Sequence, residues 1–210
     1  MAFLYRIFIT LSRFILLIAK PFSPKVAAFL NGRKNLLSKI KVAVKDNQHP
    51  VFWMHCASLS EFEQGRPLIE KFRAQFPHYK ILLTFFSPSG YNAHKNYEQA
   101  DFVFYLPLDT RKNAEQFIKI AKPVLAVFVR YEFWPHYINQ LKRKNIPVIS
   151  ISAIFRKYQA PFKPMGSFFR EILFNLTYIF VQDDESLRLL KSIGLAQCSK
   201  AGDTRFDRVF

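Results

Sequence analysis

Two carboxylates follow apolar runs that are typical of β-strands, and they are the residues best suited to proton transfer. Glu61 follows the run 51–57, and Glu132 follows the run 124–129. A carboxylate within hydrogen-bond reach of a hydroxyl group can remove its proton as a new bond forms. Ser58 stands three residues before Glu61, and S-x-x-E is also the pattern of a helix capping box. Spacing alone favours the capping role for Glu61, with proton transfer as the alternative.

Other polar residues that follow predicted strands are candidates for contacts to the hydroxyl or phosphate groups of a ligand. Ser58, Ser89 and Gly90 are suited to such contacts and equally to turns. Arg130 and Arg156 could hold a phosphate or a carboxylate, because a guanidinium group binds both through paired hydrogen bonds. A solvated surface position is the alternative for each arginine.

Some candidate residues lie in strongly apolar surroundings. Glu132 stands among aromatic residues, where a carboxylate is costly unless it is hydrogen-bonded or lies in a cleft. We therefore expect it to be a second functional acid, which orients a bound ligand or neighbouring basic groups. His55 and Cys56 fall inside the first apolar run, and we interpret them as strand residues, Cys56 as a small buried hydrophobe. Cys198, the other cysteine, is far away in sequence, so neither a disulfide framework nor a metal site is indicated, and we expect no cofactor.

The elements that must position these residues alternate between strands and helices. Strands are predicted at 51–57, 79–85, 102–106, 124–129, 148–152, 177–181 and 197–201, and helices include 63–76, 111–120, 134–144 and 184–193. Continuously apolar strands in a βαβα order predict a Rossmann-like, doubly wound parallel sheet with helices on both faces. Neither a G-x-G-x-x-G fingerprint nor a Walker P-loop is present in the sequence, so a different ligand is expected at the carboxyl ends of the strands.

The first 48 residues form a separate hydrophobic and basic segment in this interpretation, and the sheet domain covers residues 49–210. Residues 2–19 are mostly apolar, and Arg6, Arg13 and Lys20 recur at seven-residue spacing along one helical stripe. Such a helix is predicted to associate with an anionic membrane surface, with its basic groups among the phosphates. An ordinary helix packed on the core is the alternative.

The charge of the chain restricts the kind of partner. The net charge is +16, and residues 1–50 hold nine Lys or Arg against one acidic residue. Nucleic acid, anionic lipid and a phosphorylated substrate are all compatible with this excess. Because the basic residues concentrate beside the apolar segment and no DNA or RNA recognition motif is visible, we expect no nucleic-acid partner. A non-catalytic membrane-bound module is a further alternative.

Five short motifs, in order along the chain, resemble those of bacterial Kdo (3-deoxy-D-manno-octulosonic acid) transferases, which are two-domain glycosyltransferases of the GT-B class. They are HCASLSE at 55–61, TFFSPSG at 84–90, LPLD at 106–109, YEFWP at 131–135 and GDTRFD at 202–207. Three positions depart from the family pattern. Ser60 replaces a glycine, Arg130 replaces an acid, and residues 152–154 replace N-A-R, with a basic residue only at Arg156.

The resemblance implies a function and a site. Members of the family transfer Kdo from CMP-Kdo to a lipid A precursor at the cytoplasmic face of the inner membrane, without a metal ion, and the matched Glu61 acts as the base. The chain then corresponds to the N-terminal, acceptor-side half of such an enzyme. A second domain that binds most of CMP-Kdo is not among the 210 residues, so we expect this chain alone to be inactive.

Overall fold

The computed structural model describes residues 2–204, and its centre is one parallel sheet of seven strands. The strands are β1 (Val51–Cys56), β2 (Lys80–Phe85), β3 (Phe102–Tyr105), β4 (Pro123–Val129), β5 (Val148–Ala153), β6 (Tyr178–Val181) and β7 (Cys198–Lys200). Every ladder between neighbouring strands is parallel. The predicted α/β class is confirmed, and the predicted strand boundaries agree to within one or two residues.

Helices cover both faces of this sheet. They are α1 (Ala2–Ala19), α2 (Pro24–Gly32), α3 (Leu36–Val44), α4 (Leu59–Gln75), α5 (Pro88–His94), α6 (Arg111–Ala121), α7 (Pro135–Arg143), α8 (Ser167–Phe174) and α9 (Asp184–Ser192). Several begin at a hydroxyl or carboxyl side chain that accepts a backbone N–H, as Thr110 does for α6 and Asp183 for α9.

The core lies in two layers because alternate strand residues point to opposite faces. Trp53 and Phe128 are buried in one cluster, and Phe52, Met54 and Val127 are buried in the other. Burial on both faces explains why the sequence of these strands is continuously apolar rather than alternating.

The order of the strands places a crevice at one point of the sheet. The order is β3-β2-β1-β4-β5-β6-β7, so the chain winds outward in one direction from β1 and in the other from β4. Connections that leave β1 and β4 therefore diverge at their carboxyl ends, which is where open parallel sheets bind ligands. Glu61 and Glu132 follow these two strands.

The N-terminal helices differ in how they contact the sheet domain. Helix α3 packs against α6, and its residues Leu36 and Ile40 are buried in the core. Helix α1 is joined to the sheet domain through the hydroxyl group of Tyr5, which donates to the carboxylate of Asp109 at 2.6 Å. The structure does not describe the side chains of Arg6 and Arg13, so the basic stripe predicted on α1 lies outside the described residues.

Helix α1 exposes most of its apolar side chains. The exposed residues there and in the following turn are Leu4, Ile7, Phe8, Leu11, Phe14, Ile15, Leu17, Ile18 and Phe22. Over residues 2–204, no helix has the length and apolar character needed to cross a membrane.

Candidate functional site

Glu61 lies in the first turn of α4 and is fixed there by a capping box. The backbone N–H of Ser58 donates to Oε2 of Glu61 at 3.1 Å, and the N–H of Glu61 donates to the hydroxyl oxygen of Ser58 at 3.4 Å. The predicted capping box is thus confirmed, and it holds the carboxyl group at the carboxyl end of β1. Only 6% of Glu61 is exposed.

The proton affinity of Glu61 is set by opposing effects. Burial raises the pKa of its carboxyl group above the ordinary value, because the charged form loses hydration. The N–H groups at Ser58 and Ala57 and the positive charge of Arg130 act in the other direction, since each favours the carboxylate. A buried carboxylate that retains hydrogen-bond donors is suited to accept a proton.

Arg130 stands at the end of β4. Its positive charge is close enough to Glu61 to lower the pKa of the Glu61 carboxyl group. Its backbone is left-handed, with φ at 63°, an uncommon conformation for a residue with a side chain. The N–H of Arg130 donates to the carbonyl of Ile151, and its own carbonyl accepts from the Ser150 hydroxyl at 2.7 Å. The guanidinium Nε donates to the side chain of Gln64 at 2.8 Å. Strained residues held in this way are frequent at functional sites.

Glu132 is the second carboxylate of the site. Burial, the larger cause, and the negative charge of Glu61 together raise its pKa to about 8. The two carboxyl groups therefore lie near enough to influence each other. At neutral pH Glu132 is mostly protonated, so it can donate a hydrogen bond, while Glu61 retains the donors that favour its carboxylate.

The segment that carries Glu132 is attached to β1 through a buried histidine. The indole N–H of Trp134 donates to Nε2 of His55 at 3.2 Å, so the proton of the neutral ring lies on Nδ1. That nitrogen is 3.1 Å from the carbonyl oxygen and 2.9 Å from the hydroxyl oxygen of Thr84. Burial lowers the pKa of His55 to about 3, so the ring stays neutral at working pH. The prediction that His55 is a strand residue is confirmed, and it also supports the site.

Ser89 and Gly90 belong to a helix rather than to the predicted loop. Ser87 caps α5 and Pro88 occupies its first position, a favoured arrangement for starting a helix. Gly90 is buried, and a Cβ there would lie 2.7 Å from the Phe85 ring and 3.2 Å from the backbone nitrogen of Leu59. Because glycine has no Cβ, α5 can approach the start of α4 at this position. Ser89 is exposed, 3.2 Å from the Ser87 hydroxyl.

Arg156 follows β5 and is engaged with two acidic residues. Its guanidinium group is 2.9 Å from the carboxylate of Asp183 and 3.3 Å from that of Glu185. These partners lie at the start of α9, so the structure brings Arg156 to the edge formed by β5 and β6. It does not pair Arg156 with Glu61 or Glu132. A phosphate bound there would compete with two carboxylates.

The segment 202–204 also reaches this edge of the sheet, which the sequence did not indicate. The Thr204 hydroxyl donates to the carbonyl of Gln64 at 2.6 Å and is 2.9 Å from the hydroxyl of Ser152. Asp203 accepts from the amide of Gln64 at 3.1 Å. Ser152 has φ at 51°, a second left-handed residue at a strand end. The rest of the last motif, 205–207, lies outside the described residues.

Asp109 is a further buried acid whose role is structural. Its carboxylate accepts from the backbone N–H groups of His136 and Tyr137 at 3.2 Å, so it caps the start of α7, where Trp134 makes no side-chain cap. Tyr5 supplies the third hydrogen bond. Within residues 2–204, no group of three or more His, Cys, Asp or Glu side chains is arranged to hold a metal ion.

Comparison with known proteins identifies the family. A model of the family described as 3-deoxy-D-manno-octulosonic-acid transferase (kdotransferase) matches residues 33–208. The solved structures of similar fold include a UDP-N-acetylglucosamine 2-epimerase with a TM-score of 0.56, 15% identity and coverage of 76% of this chain and 50% of that one. Another is the UDP-GlcNAc 2-epimerase of Neisseria meningitidis, with a TM-score of 0.54, 16% identity and coverage of 75% and 48%. At this identity the likeness shows the fold alone, a Rossmann-like α/β domain.

Curated relatives agree with the family model. A 3-deoxy-D-manno-octulosonic acid transferase of Haemophilus influenzae is 33% identical over 102 residues, which cover 48% of this chain and 24% of that protein. The enzyme of the same name from Chlamydia trachomatis is 24% identical over 80% of this chain and 41% of its own length. A bifunctional glycosyltransferase/methyltransferase of Fusobacterium nucleatum is 28% identical over 88% of this chain and 29% of its own length. The matched region thus spans between about a quarter and two fifths of these relatives. The chain belongs to the 3-deoxy-D-manno-octulosonic acid transferase family.

Proposed function

We propose that this domain is the acceptor-side half of a glycosyltransferase that moves Kdo from CMP-Kdo to a lipid A precursor in lipopolysaccharide biosynthesis. Membership of the family supports the reaction class. The observation that carries the assignment of the site is the pair of carboxyl groups, the buried Glu61 and the half-buried Glu132, at the point where the winding of the sheet reverses. Arg130 supplies a positive charge beside Glu61.

In the proposed mechanism Glu61 removes the proton from an acceptor hydroxyl group. The hydroxyl oxygen forms a bond to the anomeric carbon of Kdo, and the bond from that carbon to the phosphate oxygen of CMP breaks. The electron pair of the broken bond leaves with CMP, and the acceptor proton passes to Glu61. A carboxylate is needed because a neutral hydroxyl group is a poor nucleophile until its proton is removed.

The other predicted residues have supporting roles in this proposal. Glu132, protonated at neutral pH, donates a hydrogen bond to the acceptor, and Arg130 binds an acceptor phosphate or the Kdo carboxylate. Ser58 fixes Glu61 through the capping box. Ser89 and Gly90 line the acceptor side at the start of α5, and Arg156 contacts an anionic group at the β5 edge in exchange for one of its carboxylate partners.

The test is Glu61→Gln in a catalytically active protein that contains these 210 residues. Glutamine preserves the capping box but cannot accept the proton, so we expect kcat to fall by about 10²–10⁴ with the fold retained. Glu115→Gln, an exposed carboxylate in α6, is the matched control and should leave kcat unchanged. Near-normal turnover by Glu61→Gln would exclude this residue as the base.

We also propose that α1 lies on an anionic membrane surface, at the cytoplasmic face of the inner membrane. Its exposed apolar side chains support this, together with a cavity of about 560 Å³ beside it. Leu17 lines that cavity with Lys20, Lys34 and Lys112, so apolar and cationic groups lie side by side as in interfacial helices.

Vesicle binding tests this placement. Phe14 and Phe22 are exposed by 62% and 84%, and the double variant Phe14→Ser/Phe22→Ser should bind vesicles of an anionic phospholipid at least about tenfold more weakly, because two large apolar groups are lost. Tyr158→Ser/Met165→Ser removes two large apolar groups of similar exposure elsewhere and is the control. Equal binding by the two double variants would contradict a role for α1.

A further inference from the structure

Gln64 is a fully buried polar side chain that lies between a cation and an anion. It is 0% exposed, and it stands three residues after Glu61 on α4, so both residues lie on one face of the helix. Its side-chain oxygen accepts from Nε of Arg130 at 2.8 Å, and its side-chain nitrogen donates to Asp203 at 3.1 Å. Because arginine only donates and a carboxylate only accepts, these partners fix the orientation of the amide.

The backbone of Gln64 contacts the same segment. Its carbonyl accepts from the Thr204 hydroxyl at 2.6 Å, and that hydroxyl is 2.9 Å from Ser152 at the end of β5. One residue of α4 therefore contacts both Arg130 and residues 203–204. An apolar side chain could fill the same space, but it would leave a guanidinium N–H and a carboxylate oxygen without this partner.

We propose that Gln64 is a positioning residue, which holds the guanidinium group of Arg130 near Glu61 and makes that arrangement depend on the position of residues 203–204. The effect of this arrangement on catalysis rests on the proposed function. The arrangement itself follows from the hydrogen bonds of Gln64 and does not depend on that function. If residues 203–204 moved away from α4, the side-chain amide of Gln64 would lose its hydrogen bond to Asp203. The guanidinium group of Arg130 would then be held less firmly.

Nuclear magnetic resonance of this chain tests the proposal without measuring turnover. In the unmodified protein the Nε–H of Arg130 should exchange with solvent at least about tenfold more slowly than that of the exposed residues Arg111 and Arg143, because it is hydrogen-bonded to a buried group. Exchange at the rate of the exposed arginines would overturn the proposal, whether or not any variant folds.

Two variants separate the two contacts. Gln64→Met should speed exchange of the Arg130 Nε–H and raise the pKa of Glu61 by about 0.5–1 unit, since a nearby cation no longer favours the carboxylate. Asp203→Ala should produce the same changes at smaller size. Gln116→Met, on the exposed side of α6, is the control and should change neither quantity.

The outcomes are distinct. An unchanged Glu61 pKa in Gln64→Met would show that Gln64 does not position Arg130. An effect of Gln64→Met with none of Asp203→Ala would overturn the dependence on residues 203–204. A failure of either kind is separate from a failure of Glu61→Gln to abolish transfer, because the exchange and titration experiments require no donor or acceptor.

Discussion

Helix α1 and the carboxyl edge of the sheet both depart from the usual pattern, in which apolar side chains are buried and charged or polar ones are exposed. Helix α1 holds apolar residues such as Phe8 and Phe14 in solvent, whereas the edge buries charged or polar groups such as Glu61 and Gln64. Exposed apolar area and buried carboxylates both cost free energy in an isolated domain. The edge offsets that cost through its own hydrogen bonds, and α1 does not, so the two regions differ in what they require from a partner.

The two regions meet at Asp109, and its removal gives the largest expected effect on stability. Asp109→Ala would leave the N–H groups of His136 and Tyr137 and the Tyr5 hydroxyl without their acceptor. We expect a loss of about 3 kcal/mol in the free energy of unfolding, measured by urea titration. Tyr5→Phe removes only the link to α1 and should cost about 1 kcal/mol. Equal losses would show that α1, rather than the cap of α7, determines the effect.

A smaller effect is expected inside the edge region, at His55. His55→Leu places an apolar side chain at the same buried position and removes the acceptor of the Trp134 indole and the partner of Thr84. The free energy of unfolding should fall by about 2 kcal/mol. The fluorescence of the protein should also change at low urea, because Trp134 loses its anchor to β1. A variant as stable as the parent would mean that the segment 131–134 is held by its other contacts.

The smallest effect depends on pH and concerns Glu132. Its pKa in the folded protein, about 8, is above the ordinary value of 4.5, so the folded state binds more protons than the unfolded state between these values. Stability is therefore full below about pH 4.5 and falls as the pH rises through 8. Glu132→Gln removes this loss of stability. The variant should have the same free energy of unfolding as the parent at pH 4.5. At pH 9 its free energy of unfolding should be higher by about 1 kcal/mol, a value reduced because Glu132 is partly exposed.

Most of the fold could be predicted from the sequence because the strands are buried on both faces. Continuous apolar runs located most of the seven strands, although the last one, at 197–201, is largely polar, and the S-x-x-E pattern located the start of α4. Helix α5 was missed because its residues, from Pro88 to Gly90, are also typical of turns.

The arrangement of the site could be predicted only in part. The positions of Glu61 and Glu132 followed from the rule that ligands bind at the ends of parallel strands. The contact between Gln64 and Arg130 joins residues 66 apart in sequence, and no periodicity reports such a pair. The left-handed backbone of Arg130 and Ser152 and the pairing of Arg156 with Asp183 depend on tertiary packing in the same way.

The central claim is that the two carboxyl groups at this edge divide the roles of base and proton donor. A ¹³C titration of the Glu61 and Glu132 carboxyl groups, assigned with Glu61→Gln and Glu132→Gln, tests it most directly. The account predicts that Glu132 titrates near pH 8 and that Glu61 titrates at a lower pH, so that Glu61 is ionised when Glu132 is protonated. Titration of Glu132 near its ordinary value of 4.5, or of Glu61 above Glu132, would contradict it.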